Sequence, residues 1–218
     1  MFILSIDIGI KNLSLCIMSC LDKLNFQTYT IHVWENKELI PLYDISTTLS
    51  KQHYITQLVL QHITCFYTMH KHLIHEQVNY IYIEKQPKIN NIMYIVSIVI
   101  YTKLIDLIHS ENNNSTIKIE FIDARKKLQV SSYYTGPNIH TLQNTIMCTT
   151  KNKKNEIILK GKKAYTNRKK ISIYYCTYFL SLFNELEKEK WSSFFEKTKK
   201  KDDLSDTFLY CIHSLSLN

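Results

Sequence analysis

The sequence predicts an α/β fold in which one mixed five-stranded sheet, an antiparallel meander joined to parallel strands, is flanked by helices. Three observations indicate this class. Three β-rich runs follow one another before residue 35, two more alternate with segments of helical period, and helical patterns close the chain after an irregular stretch that follows the fifth run. The 218 residues suit a single domain, 1–218, whose core is large enough to form without disulfides.

The strands are indicated by β-branched and aromatic residues, and the helices by an apolar period near 3.6. The predicted strands are Phe2–Ile8, Leu13–Ser19, Asn25–Trp34, Val78–Glu84 and Ile117–Ile122. The predicted helices are 47–72, 90–109, 167–190 and one that opens at Asp202 or Asp203. A basic irregular insertion, about 124–166, with room for a hairpin, separates the fifth strand from the third helix.

Positive charge is in excess, with 27 Lys and Arg against 19 Asp and Glu and a formal net charge of +8. The excess is concentrated, because residues 151–170 hold nine basic residues and one acid, Glu156. Such a segment predicts a polyanionic partner, and nucleic acid is the commonest.

Cysteine usage and apolar segments bear on the compartment. Six Cys without a CxxC pair, and a start without a basic leader, predict reduced thiols in an intracellular protein. Lys103 and Asp106 interrupt the apolar stretch 92–108, so we expect no membrane association. The helix 90–109 is apolar almost all round, so we expect the sheet to bury one side and a second copy the other.

Four carboxylates form the candidate site. Asp7 and Glu84 end the first and fourth strands, and Asp203 and Asp206 lie three residues apart near a helix start. If those strands are neighbours, the acids gather at one sheet edge, where like charges are tolerated around divalent cations. Oxygen ligands select Mg²⁺ or Mn²⁺, and two such ions about 4 Å apart can activate a water for phosphodiester cleavage.

Each acid also has a structural explanation. Asp7 can belong to a turn, Asp203 and Asp206 can favour a helix start, and Glu84 can pair with a neighbouring lysine. Asp202 is an alternative to Asp203, which is preferred because its three-residue spacing from Asp206 aligns both side chains. The complete set together with the basic excess favours a metal-dependent site.

Four motifs follow one another along the chain: IDIGIKN (6–12), IYIEKQP (81–87), YTNRKKISI (165–173) and KKDDLSDTFL (200–209). In this order they resemble the motifs of the poxvirus-type Holliday junction resolvases, relatives of bacterial RuvC in the ribonuclease H-like superfamily. The resemblance spans most of the chain. It implies a homodimer that cuts four-way DNA junctions by paired, symmetric, Mg²⁺-dependent nicks, with Mn²⁺ as a possible substitute and two ions per site. It also implies that Asp7, Glu84, Asp203 and Asp206 hold the metal.

The resemblance further implies a basic residue near the scissile phosphate. Lys170 is the preferred catalytic candidate and Lys169 the next. The long stretch after the fifth strand leaves Arg125-Lys126-Lys127 as a second source of that cation. The residues expected to contact DNA are Lys11, Lys126, Lys127, Lys162, Lys163, Arg168 and Lys169.

Other functions fit the same residues. A related nuclease acting on RNA–DNA hybrids would use the same acids, and a DNA-binding protein without catalysis would need only the basic surface. A kinase-like phosphotransferase is disfavoured, because only Gly136 and Gly161 remain for further phosphate loops. The resemblance implies processing of viral DNA concatemers and recombination intermediates at replication sites in the host cytoplasm, with packaging in the virion as a further option.

Overall fold

The computed structural model describes residues 1–9, 11–39, 48–111, 115–133, 150–151, 157–158 and 161–217. Its main sheet has the order β3-β2-β1-β4-β5 and confirms the predicted mixed fold. The strands are β1 (Phe2–Ile8), β2 (Asn12–Cys20), β3 (Tyr29–Glu38), β4 (Val78–Glu84) and β5 (Lys118–Ile122). The first three form an antiparallel meander, while β4 and β5 run parallel to β1.

The helices are α1 (Thr48–Gln77), α2 (Asn91–Glu111), α3 (Gly161–Ser181), α4 (Glu185–Lys197) and α5 (Lys201–Leu217). A 3₁₀ helix, Lys126–Tyr133, follows β5. Two short strands, β6 (Thr150–Lys151) and β7 (Ile157–Ile158), pair antiparallel as the predicted hairpin. Most of the predicted insertion, 134–149 with 152–156 and 159–160, lies outside the described residues.

Several predicted bounds differ from the observed elements, since α1 ends at Gln77 and α3 begins at Gly161. Two further differences have a local cause. The third strand starts at Tyr29 instead of Asn25, because Asn25 caps a 3₁₀ turn, Phe26–Thr28. The single helix predicted for 167–190 is two helices. The first ends at Ser181, and the Asn184 side chain accepts a hydrogen bond from the Glu187 N–H at 3.1 Å, so it caps the start of α4.

The helix α4 that follows this break contacts the edge strand β3 of the sheet. The N–H of Ile31 in β3 donates to Oε2 of Glu187 at 2.9 Å, and the Trp191 indole N–H donates to the same oxygen at 3.0 Å. One carboxylate oxygen of the half-buried Glu187 thus fixes α4 against the edge strand.

The sheet separates two apolar clusters. On one face, Leu4, Ile6 and Ile8 pack with α1 and α2. On the other, Ile3 packs with α3, α4 and α5, and the Ser5 hydroxyl donates to the Thr207 carbonyl of α5 at 2.7 Å. Because side chains alternate along a strand, Asp7 shares the α5 face with Ile3 and Ser5.

The helix α2 is long and apolar enough to cross a membrane, with a mean hydropathy of 1.7 over Asn91–Ser110. The two charged residues of this stretch, Lys103 and Asp106, therefore do not by themselves exclude a membrane span, contrary to the argument from sequence. A core helix passes the same test, and α2 buries one side in the cluster under the sheet through Met93, Val96, Ile100, Leu104 and Ile108. The absence of a membrane partner stays a prediction.

Candidate active site

Asp7 and Glu84 lie at the carboxyl ends of the two central parallel strands. The register pairs Ile6 with Ile83, so the two acids follow side by side and on the face that α5 covers. A tight turn follows Asp7, in which the Gly9 N–H donates to the Asn12 carbonyl at 2.8 Å. A β-carbon at Gly9 would stand 3.3 Å from that carbonyl oxygen, so glycine suits this close approach.

Asp206 of α5 completes a compact acidic triad with Asp7 and Glu84. One carboxylate oxygen from each residue lies within 4.8 Å of the other two. Burial and the charges of Glu84 and Asp206 raise the pKa of Asp7 well above its usual range. Burial also raises the pKa of Asp206, with Lys127 opposing and Glu84 adding to the rise. The fold therefore holds groups of like charge close together, which costs free energy of folding.

Lys127 is the cation closest to the triad among the described residues. Its ammonium bonds Asp206 and lies 3.4 Å from Oε2 of Glu84. All three side chains are only 14% exposed, so solvent screens these charges weakly. Burial alone would lower the pKa of Lys127, but Asp206, Glu84 and Asp7 together raise it above its ordinary value.

Tyr210 supports the triad from inside the protein. Its hydroxyl donates to Oε2 of Glu84 at 2.5 Å, and burial and the charge of Glu84 raise the pKa of the phenol. Sequence reasoning missed this residue. The signal was its position four residues after Asp206, which places both side chains on one face of α5.

Asp203, which was predicted to act as a pair with Asp206, lies beside the triad and is not part of its compact set. Its Oδ2 accepts a hydrogen bond from Nδ2 of Asn12 at 2.9 Å. Burial and the charge of Asp202 raise its pKa. Asp202 is bonded to Lys169, which lowers the pKa of Asp202 against the effect of burial. Asp203, not Asp202, therefore shares the cavity with the triad.

The triad opens into a cavity of about 380 Å³. Acids line one part of it, and Lys127, Arg168 and Lys169 line another. The donor set fits a divalent cation, because it consists of carboxylate oxygens, the ligands that hard ions select. Asp7 strengthens this fit, since no described residue donates a hydrogen bond to its carboxylate.

Comparison with known proteins places the architecture. The sequence matches no family model and no curated protein. The yeast mitochondrial Holliday junction resolvase Ydc2 superposes on 98% of this chain and 78% of its own, with a TM-score of 0.54 and 14% identity. The fold is ribonuclease H-like.

Two structures of Thermus thermophilus RuvC are more distant. One covers 77% of this chain and 89% of its own with a TM-score of 0.40 and 11% identity. The other, in complex with a Holliday junction substrate, covers 61% and 72% with a TM-score of 0.39 and 10% identity.

On this ribonuclease H-like frame the predicted basic residues separate into groups. Lys127, Arg168 and Lys169 line the acidic cavity, whereas Lys126 lines a second cavity near the end of β5. Lys170 and Lys11 are exposed and do not line the acidic cavity. The side chains of Lys162 and Lys163 lie outside the described residues. The catalytic role of Lys170 stays a prediction.

Proposed function

We propose that this protein is a divalent-metal-dependent endonuclease that resolves four-way DNA junctions by paired, symmetric nicks. The observation that carries the proposal is the triad of Asp7, Glu84 and Asp206 at the end of two parallel strands of a ribonuclease H-like sheet. Mg²⁺ is the proposed ion and Mn²⁺ its substitute, because hard cations prefer carboxylate oxygens. Bound there, such an ion would activate water for attack on the phosphodiester.

The chain's own residues supply the remaining requirements. The triad and Asp203 provide the negative charge that holds the cation, and Tyr210 fixes the orientation of Glu84. Lys127, Arg168 and Lys169 face the same cavity and provide positive charge for the phosphates on either side of the cut. Junction selectivity would come from the placement of these charges along a branched backbone, with base contacts secondary.

The proposed assembly is a homodimer, because symmetric nicks need two sites. α2 is the proposed interface. One side of it belongs to the core under the sheet, and Ile98 on another side is 40% exposed. The proposed setting is processing of viral concatemers and recombination intermediates in the host cytoplasm, as the sequence motifs imply, with virion packaging as a further option.

The test compares cleavage of a four-way junction with a mobile core, a linear duplex and an RNA–DNA hybrid. Each is incubated with Mg²⁺, with EDTA, and with Asp7→Asn in place of the wild type. The matched control is Glu76→Gln, a carboxylate change on an exposed residue of α1. We expect paired nicks in the junction alone, present in the control and lost in EDTA and in Asp7→Asn.

The other outcomes are distinct. Cleavage of the hybrid alone would support the metal site but would show that the substrate is an RNA–DNA hybrid. Tight junction binding without cleavage in either Mg²⁺ or Mn²⁺ would indicate a DNA-binding protein that has no nuclease activity.

A further inference from the structure

Lys127 contacts the acidic triad directly. It lies in the 3₁₀ helix that follows β5, and it contacts two of the three triad carboxylates. Its ammonium carries the same sign of charge as a bound metal. The lysine and a cation therefore compete for the same oxygens.

The contacts leave room for one ion. Lys127 uses Oε2 of Glu84, which also accepts the Tyr210 hydroxyl, and Oδ2 of Asp206. Both oxygens of Asp7 remain for a metal, because no described residue donates a hydrogen bond to this carboxylate. One oxygen from each of the three carboxylates lies within 4.8 Å of the other two, so a single ion can contact all three residues.

The charge balance agrees with this reading. Within the triad itself, three carboxylates against one ammonium leave two negative charges, which a single divalent cation neutralises. Asp203 adds a further negative charge to the lining of the same cavity. A second divalent ion in the same weakly screened cavity would face both the first ion and Lys127. Asp203, the remaining acid, is held by Asn12 at the side of the triad.

We infer that Lys127 fills one of the two cation positions, so that the site binds one divalent ion while this lysine is in place. The inference rests on the proposed metal site and changes the expected number of ions from two to one. Lys127 is thus a positioning residue that determines metal stoichiometry.

The experiment counts ions in the full chain without DNA. Metal-free protein is titrated with Mn²⁺ by calorimetry and by electron paramagnetic resonance, which detects magnetic coupling between paired ions. We expect one uncoupled Mn²⁺ per chain in the wild type. In Lys127→Met, which keeps the length and removes the charge, we expect the number to double and a coupled signal to appear.

Three variants serve as controls. Lys127→Arg keeps the charge and should keep one ion. Lys126→Met changes the adjacent lysine, which lines a different cavity, and should also keep one. Asp7→Asn should lose the ion. Circular dichroism checks each fold, and Lys127→Gln replaces Lys127→Met if the latter does not fold.

Each result decides the inference. Two ions in the wild type would overturn it, as would one ion in both the wild type and the neutral variants. No ion in the wild type would overturn both the inference and the metal part of the proposed function. One ion in the wild type and two in Lys127→Met, together with a wild type that does not cleave junctions, would support the inference and reject the proposed nuclease activity.

Discussion

The amide of Asn12 holds the carboxylate of Asp203, with Nδ2 donating to Oδ2 at 2.9 Å. This bond joins the first residue of β2 to the first turn of α5 across 191 positions of sequence. The triad acids have different partners, because Lys127 contacts Glu84 and Asp206, and the Tyr210 hydroxyl donates to Glu84. Asp203 and Asp206 thus have different surroundings, although they lie three residues apart on α5.

The difference predicts unequal effects on metal binding. Asp206→Asn removes a triad ligand and should weaken Mn²⁺ binding by more than about 100-fold, whereas Asp203→Asn changes a neighbouring group and should cost about tenfold. Calorimetric titration of both variants checks the order. Equal losses would place Asp203 among the direct ligands.

Rates of junction cleavage can distinguish the roles of Lys169 and Lys170. Lys169 lines the cavity and bonds Asp202, while Lys170 is exposed. We expect Lys169→Ala to lower the cleavage rate at least about tenfold, because it removes positive charge from the cavity and frees a carboxylate. Lys170→Ala should stay within about threefold of the wild-type rate. Single-turnover rates at saturating enzyme measure both, and the reverse order would restore Lys170 as the catalytic cation.

Glu187 should be worth more to stability than an ordinary surface acid. Glu187→Ala leaves the Ile31 N–H and the Trp191 indole without their acceptor, which predicts a loss of about 1–3 kcal/mol in the free energy of unfolding. Glu187→Gln keeps an acceptor oxygen and should lose less. Urea denaturation measures both, with the exposed Glu185→Ala as the control.

His213 predicts one part of the pH dependence of stability. Burial, with the charge of Lys126 adding to it, lowers the pKa of this imidazole below its usual 6.5. Below that pH the unfolded chain therefore takes up a proton that the folded chain does not, and stability falls as the pH falls. The difference in unfolding free energy between the wild type and His213→Gln should shrink or reverse from pH 7.5 to pH 5.5. A constant difference would contradict the lowered pKa.

The proposed dimer predicts a response at α2. Lys103 pairs with Asp106 at 2.7 Å on the part of this helix that faces away from the core. Lys103→Glu places two acids together there, and Ile98→Arg charges its exposed apolar position, so both should shift sedimentation toward the monomer. A dimer that persists in both variants would move the interface elsewhere.

Local patterns were sufficient for much of the fold. Val78–Glu84 was predicted with its observed bounds, because a β-rich run bounded by polar residues leaves little choice. The prediction of the third helix was wrong, because the apolar stripe in the sequence continues through the break between α3 and α4. Asn184, which caps α4, looks in the sequence like any polar residue within a helix. Asp7 and Glu84 were recognisable because each ends a strand.

Lys127 and Tyr210 show where the sequence stops being sufficient for the site. Lys127 was one of many lysines, and only packing of the 3₁₀ helix on α5 brings it into the triad. Tyr210 had the spacing of an apolar core position, and its hydroxyl acquires a role only after Glu84 is placed beside it.

The last helix is both the bearer of Asp206 and a central part of the core. Leu204, Phe208, Leu209, Ile212 and Leu215 of α5 are all fully buried. Partial opening of such a helix would expose much of the cluster on that face, so its amides should exchange hydrogen only through near-global unfolding. The carboxylate is consequently positioned by the whole domain, and the site should persist intact in any state short of denaturation.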